Sequence, residues 1–197
     1  MKEITIFTPT YNRANLLTRL YQSLKMQTCR EFQWLIVDDG STDDTKNIVE
    51  KFIQEDKIVI KYYYQKNSGK HVAHNLGVKM CNTELFCCVD SDDYLTNDAV
   101  QTVLECWGKI AIDKKPLLSG IVAYRGYDTE KIIGTEFPAE MNEAALKNLY
   151  ANGKKGDTAL IYRTDVLRQY PFPEVKGEKF IRENLAYDLI DEKYCMY

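Results

Sequence analysis

The sequence predicts an α/β protein: a mostly parallel sheet flanked by helices, with a smaller mixed second half. Short β-rich runs alternate with apolar stripes at helical spacing, each run ends in a polar cluster, and the alternation repeats along residues 1–113. The 197 residues, 45% hydrophobic and 28% charged, have the length and composition of one ordinary globular domain. We read that domain as two halves, 1–113 and 114–197.

Ile4 to Thr8 is the first β-rich run, and Thr10-Tyr11-Asn12 leads into Leu16, Leu17, Leu20, Tyr21 and Leu24, an apolar helix face. Trp34-Leu35-Ile36-Val37 is a continuous apolar run, as expected of a strand buried on both faces. It ends in Asp38-Asp39-Gly40, after which Ser41-x-x-Asp44 reads as a capping box opening a helix with Ile48, Val49, Phe52 and Ile53 on one side. Ile58 to Tyr64 gives a third strand and Lys70 to Met80 a third helix. Leu85 to Val89 gives a fourth strand that ends at Asp90-Ser91-Asp92-Asp93, and Val100, Val103, Leu104 and Trp107 mark a fourth helix.

Beyond Pro116 the pattern loosens. Leu117 to Tyr124 reads as a strand, Glu143 to Tyr150 as a helix, and Thr158 to Tyr162 as a strand entering a helix near Asp165 to Arg168. Lys193-Tyr194-Cys195-Met196-Tyr197 reads as the middle of a strand, so the expectation is a domain truncated at its C-terminus.

Lys and Arg number 26 against 29 Asp and Glu, a net charge of −3. No basic stripe is present to bind a phosphate backbone, so nucleic acid is not an expected partner. The six cysteines form no C-x-x-C and mostly lie in apolar runs, which reads as buried free thiols in a reducing cytoplasm. Neither a signal-peptide pattern nor an apolar segment of spanning length is found. The expected location is cytoplasmic, with peripheral association at the inner face of the membrane left open.

Several chemistries are excluded by missing motifs. Without G-x-x-x-x-G-K-[ST] or G-x-G-x-x-G the chain lacks the phosphate loop of NTPases and the dinucleotide fingerprint, and without G-x-S-x-G it lacks the hydrolase nucleophile elbow. His71 and His74, three apart without H-E-x-x-H, do not make a zinc site. Carboxylate chemistry remains. Parallel α/β sheets bind ligands beyond the carboxyl ends of their strands, and Thr8 to Arg13, Asp38 to Asp44 and Asp90 to Asp93 all fall there. Hard oxygen donors on a rigid strand end suit Mg²⁺ or Mn²⁺ bridging to substrate phosphates.

Taken together, Thr8-Pro9-Thr10-Tyr11-Asn12-Arg13, Val37-Asp38-Asp39-Gly40-Ser41-Thr42-Asp43, Asn67-x-Gly69 with Asn75-x-Gly77, and Asp90-x-Asp92-Asp93 resemble the family 2 glycosyltransferases of the GT-A fold. The resemblance implies a Rossmann-like nucleotide-binding half and an acceptor-binding half. It also implies transfer of a hexosyl or N-acetylhexosaminyl group, with inversion, from a nucleotide-sugar, usually UDP-linked, to a saccharide or lipid-linked acceptor in polysaccharide or glycolipid synthesis.

Within that resemblance, Pro9, Tyr11, Arg13, Asp39, Lys70, Asp90, Ser91 and Asp92 are the expected nucleotide-sugar contacts. Asp39 can accept the uracil N3–H, Tyr11 offers a stacking ring, and Pro9 stiffens the loop presenting it. Arg13 and Lys70 are candidates for the phosphates. Asp92 is the expected direct ligand of Mn²⁺ or Mg²⁺, with Asp90 reaching the metal through water or binding the ribose, while Asp93 caps the next helix. Glu183, in Gly177-Glu178-Lys179-Phe180-Ile181-Arg182-Glu183, is the expected base. Because Asn184 follows where the family often has Asp, Glu178 and Asp188 stay open as alternatives. Asp157 faces either the acceptor or a turn.

Two other functions compete. One is a non-catalytic nucleotide-sugar-binding module. The other, a sugar-nucleotide synthesising enzyme, is disfavoured by the absence of its glycine-rich, arginine-bearing first loop.

Overall fold

The computed structural model describes residues 2–128, 130–138 and 143–197. Side chains of β1 (Ile4–Thr10) and β2 (Phe32–Asp38) alternate across the sheet. Ile4, Ile6, Phe32, Trp34 and Ile36 fill one face, and Phe7, Leu35 and Val37 fill the other. Both faces are therefore covered, as the unbroken apolar run in β2 requires.

The first face packs on Leu17, Leu20, Tyr21 and Leu24 of α1 (Ala14–Lys25), Val49 and Phe52 of α2 (Thr45–Glu55), and Val100 and Trp107 of α4 (Ala99–Lys109). The opposite face packs on Ala73 and Val78 of α3 (Lys70–Met80), Val166 and Leu167 of α6 (Thr164–Gln169), and Ile190 of α7 (Asn184–Asp191). Each fully buried aliphatic side chain contributes roughly 1.5–3 kcal/mol of transfer free energy.

Seven described strands form one sheet in the order β3 (Ile60–Tyr64), β2, β1, β4 (Leu85–Cys88), β6 (Thr158–Arg163), β5 (Leu118–Tyr124), β7 (Cys195–Met196). Six run in one direction, and β6 lies antiparallel between β4 and β5. The expected mostly parallel sheet with a mixed second half is the observed one. In register, Thr10 lies opposite Asp38, Asp38 opposite Tyr64, and Phe7 opposite Cys88. The loops after β1, β2, β3 and β4 thus emerge along one sheet edge.

Five local expectations are corrected. Pro9 belongs to β1 rather than to a loop; the β4 ladder ends at Phe7, so the missing Pro9 N–H leaves no described β4 partner unpaired. Ser41 and Asp44 form no capping box: α2 has no side-chain bond from its Asp44 cap, and the Ser41 hydroxyl is used elsewhere. Asp93 does not cap α4, which starts at Ala99, but pairs with Arg125. β3 starts at Ile60 rather than Ile58. The helix expected from Glu143 is α5 (Leu146–Ala151), whose first N–H groups are received by the Asp191 carboxylate of α7.

All six cysteines are free; Cys81 and Cys87 are buried and the others half-buried. No helix among the described residues is long and apolar enough to cross a membrane.

Candidate active site

The loops after β1 and β2 are laced together by one side chain. Asn12 stands at φ 52°, a left-handed conformation that Asn tolerates better than most residues. Its Oδ1 accepts the backbone N–H groups of Thr42 (2.8 Å) and Asp43 (3.3 Å), and its own N–H donates to Ser41 Oγ (2.8 Å). Asp43 answers by accepting the N–H of Ala14 at 3.1 Å, the first residue of α1, and the hydroxyl of Thr45 at 2.5 Å. Burial alone would raise the Asp43 pKa, but the bonds from Thr45 and Ala14 outweigh it and hold the carboxyl below its ordinary value.

The two aspartates ending β2 are both buried and hold neighbouring backbone in place. Asp38 accepts the Tyr62 hydroxyl (2.6 Å) and the Ser41 N–H (2.7 Å), so Tyr62 of β3 supports this loop. Asp39 accepts three donors: Gln65 Nε2 (2.7 Å) and Ser68 N (2.8 Å) on Oδ1, and Gly69 N (2.8 Å) on Oδ2. An ionised carboxylate has about four acceptor sites, so Oδ2 keeps capacity for one more donor. The loop is tight: at Gly40 (φ 85°) an added Cβ would stand 2.6 Å from the Asn67 nitrogen, and at Gly69 (φ 103°) it would collide with the Lys179 carbonyl.

The acidic turn after β4 gathers cations from three directions. Arg13 Nη1 lies 3.1 Å from Asp92 Oδ2, and Lys70 Nζ, on the first residue of α3, lies 2.9 Å from Asp90 Oδ1. The same ammonium lies 3.1 Å from Glu183 Oε1. Burial acts to lower the Lys70 pKa, but Cys88, Asp90 and Glu183 together hold it above the ordinary lysine value. Arg125, just past β5, bridges Asp93 and Asp157. Burial pushes the Asp93 carboxyl up, Arg125 pulls it down, and Asp90, Asp92 and Asp157 push it up further, for a net rise.

The structure brings Arg13 to Asp92, and Lys70 to both Asp90 and Glu183, around one acidic turn, with Asp39 holding the loop that leads to Lys70. Ser91 is buried within the acidic turn, and Tyr11 stands 48% exposed after β1. Of the three candidate bases, Glu183 pairs with Lys70, whereas Glu178 Oε1 accepts the Phe180 N–H and Asp188 accepts from Asn184. Glu183 owes its position to α7, which it opens, receiving the N–H groups of Ala186 and Tyr187 on its carbonyl.

Three residues with positioning contacts were not assigned roles by the sequence. They are Asn12, Arg125, and Asn75, which receives the Phe172 N–H on Oδ1 and donates to Phe172 O and Glu174 Oε1, pinning the segment before Gly177. The signal for Asn12 and Asn75 was their place inside the quoted motifs; Arg125 carried none. His74 is structural, edge-on to Phe7, Phe86 and Phe172.

Asp90 and Asp92 fit a divalent cation by donor chemistry, with side chains 41% and 55% exposed on a rigid strand end. Among the described residues no group of three or more His, Cys, Asp or Glu side chains could hold a metal. An ion bound here would complete its shell from outside the protein, as Mg²⁺ and Mn²⁺ do with substrate phosphates.

Residues 5–134 match the family model described as glycosyl transferase family 2. An uncharacterised glycosyltransferase of Rickettsia conorii is 37% identical over 103 residues, 52% of this chain and 17% of that protein. The GalNAc(5)-diNAcBac-PP-undecaprenol beta-1,3-glucosyltransferase of Campylobacter jejuni is 27% identical over 77% of this chain and 54% of its own length. S. aureus TarS residues 1–349 in complex with UDP-GlcNAc superpose with a TM-score of 0.62 at 28% identity, covering 90% of this chain and 50% of that one. The chain thus spans about half or less of the relatives it matches.

Proposed function

The chain belongs to glycosyl transferase family 2 and has the GT-A fold, and from that premise we propose that it is a metal-dependent inverting glycosyltransferase. Its donor is a UDP-linked hexose or N-acetylhexosamine and its acceptor a hydroxyl of a saccharide, free or lipid-linked. The observation that carries this reading is the convergence of Asp90 and Glu183, from opposite halves of the chain, on one Lys70 ammonium. A leaving-group site and a candidate base are adjacent.

Residues 1–113 supply the nucleotide contacts and residues 114–197 the acceptor side. The remaining acceptor capacity of Asp39 receives the uracil N3–H, a donor that cytosine lacks. Tyr11, the residue that follows β1, stacks on the base. Pro9 and Ser91 shape the two strand ends that flank the nucleotide. Arg13 and Lys70 bear on the diphosphate, and Asp92, assisted by Asp90, holds Mn²⁺ or Mg²⁺. When bound, the ion would supply electrostatic stabilisation of the departing diphosphate. Glu183 takes the proton of the acceptor hydroxyl as that oxygen attacks the anomeric carbon opposite the leaving group, a role that contributes roughly 10²–10⁴ in rate. The TarS complex with UDP-GlcNAc supports the donor class, and the undecaprenol-linked substrate in the Campylobacter enzyme's name supports the acceptor class.

The test is sugar transfer from a panel of UDP-sugars to saccharide and polyprenyl-linked acceptors by the wild type and by Glu183→Gln. Wild-type transfer that is lost in Glu183→Gln, with UDP binding retained, supports the reading. UDP-sugar binding without transfer to any acceptor favours a binding module instead, and turnover retained in Glu183→Gln removes that residue as the base.

A further inference from the structure

Lys70 is placed to do more than hold a phosphate. Its Nζ lies between Asp90 Oδ1 at 2.9 Å and Glu183 Oε1 at 3.1 Å, so one ammonium serves two carboxylates assigned different tasks. A lysine ammonium has three donors on a flexible stem and can exchange partners without moving the backbone. The three side chains are about half exposed, at 47%, 41% and 55%, and pairs of that kind are individually weak. A diphosphate carries more charge than one carboxylate and arrives where the N-terminus of α3, opening at Lys70, already favours an anion.

We propose that Glu183 and the donor's diphosphate compete for the Lys70 ammonium, so that Glu183 is released to the acceptor hydroxyl only once the donor is in place. Without donor, Lys70 holds Glu183 Oε1 and restrains the orientation of the carboxylate. With donor bound, Lys70 turns to the phosphate oxygens and the freed carboxylate faces the acceptor. Lys70 is here a positioning residue for Glu183, and the order of events, donor before acceptor, follows from one shared cation. The inference rests on the nucleotide-sugar reading above.

Calorimetric titration with UDP in Mn²⁺, and with uridine as a phosphate-free control, tests it on four chains: wild type, Lys70→Met, Glu183→Gln and the double variant. Thermal melts establish that each is folded. Removing the competitor in Glu183→Gln should tighten UDP binding about three- to fivefold, the size expected of a half-exposed ion pair. Lys70→Met should weaken it about tenfold. In the Lys70→Met background Glu183→Gln should change nothing, because the contested cation is gone. Uridine affinity should be the same in all four. UDP affinity unchanged or weakened in Glu183→Gln overturns the competition, as does tightening that persists without Lys70 or that appears equally with uridine. In those cases UDP still binds and the nucleotide-sugar reading stands. A folded wild type that binds neither UDP nor uridine overturns both.

Discussion

Arg13 Nη1 lies 3.1 Å from Asp92 Oδ2, so the cation that follows β1 rests on the carboxylate proposed to bind the metal directly. In Asp92→Ala we expect UDP binding to lose its Mn²⁺-dependent component and transfer to fall by at least about 100-fold, the scale of removing one electrostatic stabiliser of a developing charge. Titrations with UDP, CDP and GDP, each with and without Mn²⁺, check this. Mn²⁺-dependent UDP binding that survives the substitution would move the metal site elsewhere.

Asn12 ties the loop after β1 to the loop after β2, and its contribution divides into two parts. Asn12→Ala loses the acceptor for Thr42 and Asp43 and also forces an alanine to φ 52°. We expect a loss of about 1–3 kcal/mol in urea unfolding. Asn12→Gly restores the backbone freedom without the bonds, so it should recover part of that loss. A glycine variant as stable as wild type would show that the side-chain bonds contribute nothing.

The four β–α units and their polar ends were legible because each depends on neighbours in sequence: the apolar run Trp34–Val37, the helix face Leu17–Leu24, the abrupt change from Cys88 to Asp90. The partnerships between ends were not. Ser41-x-x-Asp44 has capping-box spacing, yet the Ser41 hydroxyl accepts from Asn12, 29 positions away, and no local pattern records that competition. β6 between β4 and β5 is a long-range pairing that spacing cannot reveal. α7 escaped because it is only eight residues long: Leu185, Ala186, Leu189 and Ile190 share one face, but two turns are too short a stripe to stand out in sequence. Glu183 was singled out through the motif it sits in; its contact with Lys70 came only with the fold.

His74 predicts a pH dependence with a definite sign. Burial among three rings, helped by the Lys70 charge, pushes its imidazole pKa down to about 3. The unfolded chain takes up that proton near pH 6.5 and the folded chain refuses it, so stability is complete above about 6.5 and declines as pH falls towards 3. Between pH 7 and 5.5 we expect a loss of about 1 kcal/mol, before most carboxylates titrate. His74→Phe keeps a ring in the same apolar surroundings and should flatten that limb of the curve. Equal slopes for variant and wild type in urea unfolding across this range would assign the loss to another group.

Arg125 joins the two halves of the chain at the acidic turn, binding Asp93 after β4 and Asp157 before β6. Both pairs are partly exposed, so each contributes no more than about 1 kcal/mol, but the geometry makes a further demand. A planar guanidinium presents its two terminal NH2 groups to the two carboxylates in a rigid fork, a geometry that an ammonium on a shorter reach does not reproduce. We therefore expect Arg125→Met to lower stability by about 1 kcal/mol and Arg125→Lys to recover less than half of it. Because Asp93 is already pushed up by burial and by Asp90, Asp92 and Asp157, losing Arg125 leaves it the most strained carboxylate in the turn. Asp93→Asn should then be stabilising in the Arg125→Met background and destabilising in the wild type, a reversal that a double-mutant cycle by thermal unfolding measures directly. Full rescue by lysine, or Asp93→Asn effects that simply add, would reduce Arg125 to an ordinary surface charge.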